Sequence, residues 1–176
     1  MSEQEVISLV RNLHEEKLYR PTMVAVLYRF WQFPGLIPDN KPSFLITQSA
    51  KNLDYWGFPQ GGIDEGESVE ECFKREIKEE LGILPEHISN LKAAYYIENL
   101  DAEDGRKDRR GFLKGKAYFF SAGEYTGDNS LILQNGEVEA VKWIDRKEIE
   151  HFLFRGRSNK ANLNKKALER LLELGI

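Results

Sequence analysis

The sequence predicts an α/β sandwich built around a mixed central sheet. Its 176 residues, 41% of them hydrophobic, are enough for one compact domain with a substantial core. β-rich runs lie on both sides of an acidic amphipathic segment, and the elements follow in the order helix, strands, acidic helix, strands, helices. This order favours a sheet that is covered by helices. We therefore expect a single domain over residues 1–176.

The first expected element is a leading helix over about residues 2–17. Ser2 and Glu5 have the spacing of a capping box, in which each side chain accepts a hydrogen bond from the backbone of the other residue. Behind this cap, apolar residues recur at helical intervals, at Val6, Val10 and Leu13. The pattern therefore predicts an amphipathic helix ahead of the sheet.

Five segments are expected to be strands because they are short, apolar and bounded by turn residues. They are MVAVLY, SFLIT, LKAAYYIEN, GKAYFFSA and EAVKWID. The first two are separated by an irregular, proline-containing loop from Phe30 to Pro42. After the last strand, Asp145 and Glu148 form another capping-box pair that opens a short helix, and NKKALERLLEL predicts an amphipathic C-terminal helix.

Composition limits the functional classes. The net charge is −4, so any surface that binds phosphates must be local. No apolar run is long enough to span a membrane, and the N-terminus is polar, which predicts a cytoplasmic protein without a membrane partner. The single cysteine, Cys72, excludes a disulfide framework and a cysteine-rich metal cluster. The three histidines are scattered without the spacing of metal ligands.

Acidic residues are concentrated in one segment, YWGFPQGGIDEGESVEECFKREIKEELGI, from Tyr55 to Ile83. Ser68 and Glu71 have capping-box spacing and Gly82 suits a left-handed C-cap, so the pattern predicts a helix over Val69–Leu81. One side of this helix is apolar and carries Val69, Cys72, Phe73, Ile77 and Leu81. The other side is polar and carries Glu71, Lys74, Arg75 and Lys78.

Three glutamates do not join the polar side of this helix. Glu76 and Glu80 project into the apolar arc, and Glu79 lies at its margin. Burying ionised carboxylates together costs several kcal/mol each unless a cation compensates, and Arg75 alone cannot neutralise three of them. Oxygen ligands without histidine or cysteine favour Mg²⁺ or Mn²⁺, and Mg²⁺ commonly shares its ligand shell with substrate phosphates. We therefore expect a divalent metal here and a substrate that contains phosphates.

Glycines precede the acidic helix. Gly61, Gly62 and Gly66 allow tight turns and close approach of the backbone to a ligand, and the loop leads into a helix N-terminus. Glycines alone are weak evidence, because they usually make turns. Next to the acidic helix, they predict that Gln60, Gly61 and Gly62 contact the substrate.

The segment from Gly61 to Ile83 matches every fixed position of the box of Nudix hydrolases, which the chain resembles. The matching positions are Gly61, Glu67, Arg75-Glu76-Ile77, Glu79-Glu80 and Gly82-Ile83. The strand order on both sides resembles the Nudix α/β/α sandwich. The resemblance implies metal-dependent hydrolysis of a nucleoside diphosphate linked to another group, with Glu76, Glu79 and Glu80 holding metal. It also implies that Arg75 orients a carboxylate.

Other motifs resemble one group of these hydrolases. WGFPQGG is similar to the lead-in of bacterial RNA 5′-pyrophosphohydrolases and dinucleoside polyphosphate hydrolases, and Tyr19-Arg20-Pro21 resembles their N-terminal motif. Glu137, six residues before Trp143, resembles an additional catalytic or metal-binding glutamate, although Glu139 competes for this role and a solvated Glu137 is the alternative. The resemblance implies that the substrate is the 5′-triphosphate end of RNA or, alternatively, a dinucleoside polyphosphate such as diadenosine tetraphosphate.

Basic residues suggest where phosphates bind. Gly105–Lys116 concentrates six basic residues and is either a solvated hairpin loop or a contact for substrate phosphates. In the second case, the expected contacts are Arg106, Arg109 and Lys116. Arg20 and Lys51 are further expected contacts, because they are charged and lie near the box.

Three functions differ in what they require of the acidic helix. A structural helix without ligand would leave buried carboxylates uncompensated. A non-catalytic nucleotide-binding domain would be favoured by replacement of a box residue, but Arg75, Glu76, Glu79 and Glu80 are all present. The sequence therefore favours an enzyme in which water attacks a phosphorus, with Glu76 or Glu137 as the general base.

Overall fold

The structure of the protein is a computed structural model. It describes residues 2–30, 41–101, 110–128, 131–133, 136–153, 159–173 and 175. Residues 31–40 of the expected irregular loop lie outside the described residues, as do residues 102–109, which include residues 105–109 of the basic segment. Two of the expected substrate contacts, Arg106 and Arg109, belong to that second range.

The described elements follow the expected order. The helices are α1 (Glu3–Glu16), α2 (Val69–Leu81), α3 (Arg146–Leu153) and α4 (Asn159–Glu173). The strands are β1 (Tyr19–Phe30), β2 (Pro42–Ser49), β3 (Asn52–Gly57), β4 (Gln60–Gly62), β5 (Ile88–Asp101), β6 (Gly115–Tyr125) and β7 (Val138–Ile144). The expected leading helix is confirmed, with Ser2 as its N-cap and a complete capping box.

β3 and β4 are strands that the sequence did not predict. Their segment contains Gly57, Pro59, Gly61 and Gly62, residues that ordinarily indicate turns. The pairing with longer strands explains the difference: β3 lies against β2, and β4 lies against β1 with Met23 opposite Gly61. Tertiary pairing therefore outweighs the local preference of these residues.

The sheet is mixed and its main path runs in the order β3-β2-β1-β6-β5. β1 and β6 are parallel, and the other described pairs are antiparallel. β4 pairs with β1, and β7 pairs with β2. The central position of β1 places the residues that follow Tyr19 next to both β4 and β6.

Two hydrophobic clusters cover the two faces of the sheet. Along β1, Met23, Ala25 and Leu27 belong to the cluster that contains the buried residues of α1 and α2. The alternate residues Val24 and Val26 belong to the cluster that contains buried residues of α3 and α4. This alternation is the two-residue period of a strand that is buried on both faces. The expected α/β/α sandwich is confirmed.

The helices of the described part of the chain also bear on the expectation about membranes. None of them is both long enough and apolar enough to cross a bilayer. Their buried residues are used for packing on the sheet, as in α1, where Val6, Val10 and Leu13 are buried.

Candidate active site

α2 occupies Val69–Leu81, the range that its caps predict. The Ser68 hydroxyl accepts a hydrogen bond from the backbone N–H of Glu71 at 3.2 Å, and the Glu71 carboxylate accepts one from the N–H of Ser68 at 2.8 Å. Gly82 ends the helix with φ of 68°, a conformation that disfavours a Cβ atom. Both ends are therefore fixed by local chemistry, which sets the rotation of the helix and the direction of its glutamates.

The glutamates of α2 differ in burial as the helical projection predicts. Glu80 is 8% exposed and the Glu76 side chain is 13% exposed, whereas the Glu79 side chain is 51% exposed. Burial, followed by the nearby carboxylates of Glu76, Glu137 and Glu79, raises the pKa of Glu80 to about 8. Burial also raises the pKa of Glu76, although Arg75 acts in the opposite direction. Both carboxylates would be stabilised in their charged form by a cation in the site.

Arg75 contacts carboxylates, as the resemblance to the Nudix box implies, but its side chain extends further than the helical projection indicates. The helical projection puts it on the polar side of α2 with Lys74 and Lys78, but its guanidinium folds back among acidic groups. Nε and Nη2 donate to the two carboxylate oxygens of Glu67 at 2.7 and 2.9 Å. Nη1 donates to Oε1 of Glu76 at 2.7 Å, so Arg75 contacts one of the predicted metal ligands directly. The length of the arginine side chain, which the projection ignores, explains the difference.

Glu67 is a site residue to which the sequence analysis gave no role. Its bidentate contact with Arg75 is the first cause of the raised pKa of the guanidinium, and its Oε2 also accepts a hydrogen bond from the N–H of Asp64 at 3.0 Å. Glu67 therefore fixes both the box loop and Arg75. Its fixed place in the box, eight residues before Arg75, was the signal that could have identified it.

The two glycines of β4 are needed for close packing. A Cβ atom on Gly61 would clash with the carboxyl group of Glu76, and one on Gly62 would clash with the guanidinium of Arg20. The Gly62 carbonyl also accepts a hydrogen bond from Nη2 of Arg75 at 2.9 Å. These glycines therefore let two functional side chains lie directly on the backbone of β4, where the sequence analysis expected a ligand to lie.

Glu137 comes to the site from the other end of the chain. The β2–β7 pairing brings Ser49 opposite Val138, and the N–H of Ala50 donates to the Glu137 carbonyl at 2.9 Å. Nζ of Lys51 then lies 3.1 Å from Oε1 of Glu137. Glu137 and Glu80 line the same cleft, and the Glu137 carboxylate contributes to the raised pKa of Glu80. Glu139, the alternative candidate for the role of Glu137, is exposed and is not among the residues that line the cleft described next.

These side chains surround a cleft of about 600 Å³. Its lining consists of Arg20, Thr22, Lys51, Gln60, Gly61, Gly62, Arg75, Glu76, Glu79, Glu80, Arg110, Lys116 and Glu137. Every predicted site residue within the described part of the chain is therefore at this one cleft. Thr22 is an addition that no local motif indicated, whereas Arg110 belongs to the basic segment Gly105–Lys116.

Besides Arg75, four cationic residues line the same cleft as the carboxylates. Arg20 and Lys116 are neighbours across the parallel β1–β6 pair, while Lys51 and Arg110 come from the connections before β3 and β6. Nη1 of Arg110 lies 3.3 Å from Oδ1 of Asp64 in the box loop. A polyanion in the cleft would therefore meet positive charge from several directions, as polyphosphate recognition requires.

The donor atoms in the cleft fit a hard divalent cation, because the available ligands are carboxylate oxygens and neither histidine nor cysteine lines it. Within the described ranges, no three acidic, histidine or cysteine side chains already form a ligand shell. Three of the carboxylates instead hold cationic side chains, Glu76 and Glu79 through Arg75 and Glu137 through Lys51. Metal binding at this site would therefore require these pairs to exchange partners. Glu80 is buried and is not among the glutamates that Arg75 contacts, so metal binding to Glu80 does not require Arg75 to change partners.

A second, smaller cavity of about 180 Å³ adjoins this cleft and shares Lys51, Gln60, Glu80, Lys116 and Glu137 with it. Its other lining residues are Thr47, Ser49, Tyr55, Phe58, Pro59 and Val138. It is thus less charged than the cleft and extends it along β3. A substrate group attached to the phosphates has space there.

The amino-acid sequence of this chain is similar to those of proteins named RNA pyrophosphohydrolase. An RNA pyrophosphohydrolase of a Nitratiruptor species is 43% identical over 147 residues, which cover 79% of this chain and 86% of that protein. The RNA pyrophosphohydrolase of Shewanella frigidimarina is 61% identical over a shorter match of 57 residues, 32% of this chain and 33% of that protein.

Solved structures resemble the fold. A dihydroneopterin triphosphate pyrophosphohydrolase of E. coli aligns with a TM-score of 0.64 at 20% identity, over 87% of this chain and 96% of that one. An Ap4A hydrolase of C. elegans in a binary complex aligns with a TM-score of 0.58 at 20% identity, over 88% and 98%. The family model of the NUDIX domain matches residues 33–167. The chain therefore belongs to the Nudix family and is a hydrolase that acts on pyrophosphate bonds.

Proposed function

We propose that this enzyme hydrolyses the 5′-triphosphate end of RNA in a reaction that depends on Mg²⁺ or Mn²⁺. The observation that carries the proposal is the composition of the cleft, where Glu76, Glu79, Glu80 and Glu137 share one cavity with four cationic side chains besides Arg75. Carboxylates suit a divalent metal and the cations suit phosphate oxygens. The relatives named RNA pyrophosphohydrolase support an RNA end as the source of those phosphates.

The proposed metal site uses the four glutamates of the cleft. Nudix hydrolases generally use divalent metal ions, and the burial of Glu80 beside other carboxylates favours a compensating cation. A bound Mg²⁺ or Mn²⁺ would supply Lewis-acid stabilisation of the phosphate oxygens and a more acidic water. Magnesium and manganese prefer the same oxygen ligands, so both remain within the proposal.

The protein side chains have separate proposed roles. Arg20, Lys51 and Lys116 bind phosphate oxygens and hold the scissile bond in line with the attacking water. Gln60 and the backbone of Gly61 and Gly62 complete the substrate contacts on the β4 side of the cleft.

The attacking water must lose a proton to a carboxylate. Glu76 and Glu137 are the two proposed acceptors, because both line the cleft. Arg75 fixes the orientation of Glu76 through its 2.7 Å hydrogen bond. Glu137 is held by Lys51 instead, so phosphate binding to Lys51 would release it.

A dinucleoside polyphosphate is the second candidate substrate. Its phosphate chain presents the same groups to the cleft as an RNA triphosphate, so the residues near the metal do not discriminate between them. An RNA substrate additionally has following backbone phosphates that a surface outside the cleft must contact. The basic segment from Arg106 to Lys116 has the charge for this contact, and two of its residues, Arg110 and Lys116, line the cleft.

Replacing Arg106, Lys107, Arg109 and Arg110 together with alanine should therefore weaken hydrolysis of a triphosphorylated RNA oligomer more than that of diadenosine tetraphosphate. Each phosphate contact that is lost should lower the slope of log(kcat/KM) against log(salt) by about 1 for RNA. The measurement is kcat/KM for both substrates across a salt series, with wild type and variant side by side.

A matched variant controls for the change in net charge. It replaces the exposed Arg11, Arg146, Lys147 and Lys165 with alanine and should leave the salt slope for RNA close to that of the wild type. Equal losses on both substrates in the first variant, or none on either, would move the preference to the dinucleoside polyphosphate.

A further inference from the structure

Phe112 is a buried aromatic residue in the short connection that precedes β6. It is 2% exposed, and its ring is held between two side chains of the last turn of α1. The His14 ring meets it edge-on at a centroid distance of 5.8 Å, and Nζ of Lys17 lies 4.6 Å from its centroid. Phe112 thus anchors the connection to the leading helix.

The backbone reinforces this anchor. The N–H of Leu113 donates to the Lys17 carbonyl at 2.9 Å, and the N–H of Lys114 donates to the Leu18 carbonyl at 2.8 Å. Lys17 itself adopts a left-handed conformation with φ of 53°, which turns the chain out of α1 toward this segment. The segment that follows Arg110 is therefore fixed by both its side chain and its backbone.

The same turn of α1 also holds the box loop. Nε2 of His14 donates to the Ile63 carbonyl at 2.8 Å, one residue before Asp64. Asp64 in turn pairs with Arg110 and lies 3.9 Å from Nη2 of Arg75. α1 is thus connected on one side to the loop that carries Asp64 and on the other side to the segment that carries Arg110.

The ion pair between Arg110 and Asp64 contributes little by itself to the position of Arg110. Both side chains are more than half exposed, at 56% and 60%, and exposed pairs of this kind contribute little because solvent screens them. A buried ring two residues away, with two backbone hydrogen bonds next to it, constrains the chain more strongly. The contacts of Phe112 therefore contribute to the position of Arg110 at the cleft.

We infer that Phe112 and His14 are positioning residues, which hold Arg110 at the cleft so that its guanidinium binds the substrate phosphates. The inference rests on the proposed function in that Arg110 must contact a polyphosphate. It adds a task for α1, which lies before the sheet and contributes no residue to the lining of the cleft. α1 thereby couples the geometry of the box loop to that of the cationic side of the cleft.

A double-mutant cycle tests this inference with a probe that does not require turnover. The probe is an imidotriphosphate in which NH replaces both bridging oxygens, so that no P–O–P bond is left to hydrolyse. Its dissociation constant is measured by calorimetry with Mg²⁺ for wild type, Phe112→Leu, Arg110→Ala and the double variant. Arg110→Ala should weaken binding about tenfold, as expected for loss of a charged hydrogen bond. Phe112→Leu, which removes no charge, should produce most of the same loss. In the Arg110→Ala background, Phe112→Leu should weaken binding almost no further, because both changes remove the same contact between Arg110 and the triphosphate.

A second pair of variants separates positioning from packing. His14→Leu removes the hydrogen bond to Ile63 and should weaken imidotriphosphate binding, whereas His14→Gln keeps a donor and should restore most of it. Phe44→Leu is the matched control for a smaller buried ring, because Phe44 is 1% exposed and belongs to the cluster on the α3–α4 face. It should lower stability without changing the dissociation constant.

The inference fails if Phe112→Leu binds imidotriphosphate like the wild type or like Phe44→Leu, or if its effect adds fully to that of Arg110→Ala. A failure of the proposed function looks different. In that case the wild type would bind imidotriphosphate but release no product from triphosphorylated RNA. The double-mutant cycle would still show whether Phe112 positions Arg110.

Discussion

Replacing Glu80 with glutamine should abolish most turnover while making the metal-free protein more stable at alkaline pH. Glutamine has nearly the same shape but carries no charge, so it removes a proposed metal ligand without creating a cavity. Changes in the hydrogen-bond partners of metal ligands already cost 10–100-fold in activity or metal affinity, so loss of a ligand should lower kcat by at least about 100-fold. The measurement is kcat on triphosphorylated RNA at saturating Mg²⁺.

The stability part of this prediction follows from the pKa of Glu80, which burial and neighbouring carboxylates raise to about 8 from a usual value of 4.5. Between these two values the folded state binds a proton more tightly than the unfolded state does, so the stability of the wild type falls as the pH rises. Glu80→Gln does not titrate and avoids this loss. In excess chelator it should match the wild type near pH 4 and exceed it by about 4 kcal/mol near pH 8.5.

Glu79→Gln is the matched control for Glu80→Gln, because it makes the same substitution in the same helix at a side chain that is 51% exposed. Its metal-free stability should change little across the same pH range. If Glu80→Gln unfolds more easily than the wild type in chelator at pH 8.5, the buried carboxylate has a structural partner and the proposed site is wrong.

Removing divalent cations with an excess of chelator should abolish hydrolysis of both triphosphorylated RNA and diadenosine tetraphosphate. Without metal, no divalent cation compensates the charge that develops on the phosphate oxygens beside the four carboxylates of the cleft, and the attacking water is not made more acidic. Adding Mg²⁺ or Mn²⁺ above the chelator concentration should restore hydrolysis.

Circular dichroism in the same buffers should show that the chelated protein stays folded. Neither the capping boxes nor the two hydrophobic clusters include a glutamate of the cleft, so they do not depend on the metal. Full activity in excess chelator would rule out the metal-dependent reaction. Restoration by only one of the two cations would identify the preferred metal.

The elements predicted from local patterns are those whose determinants are close in sequence. α2 begins and ends where Ser68, Glu71 and Gly82 predict, because a capping box and a left-handed glycine depend on neighbouring residues only. The burial of Glu76 and Glu80 also follows from the helical period alone. The apolar run MVAVLY likewise predicts the strand β1.

The features that the sequence did not predict depend on partners that are distant in the chain. The inward fold of Arg75 depends on Glu67 and on the carbonyl of Gly62, neither of which belongs to α2. The strands around Gly57 and Gly61 exist because longer strands pair with them. Arg110 reaches the cleft through the contacts of Phe112 with α1, and no spacing rule connects these segments.

The central claim is that the glutamates of α2 hold the metal in the cleft that also contains the phosphate-binding cations. Anomalous diffraction from crystals of the protein grown with Mn²⁺ tests it most directly, because the anomalous signal locates the metal without assumptions about activity. We expect a peak within coordination distance of the Glu80 carboxylate and of at least one of Glu76 and Glu79. A peak at another surface and none in this cleft, at a Mn²⁺ concentration that supports full turnover, would contradict the account.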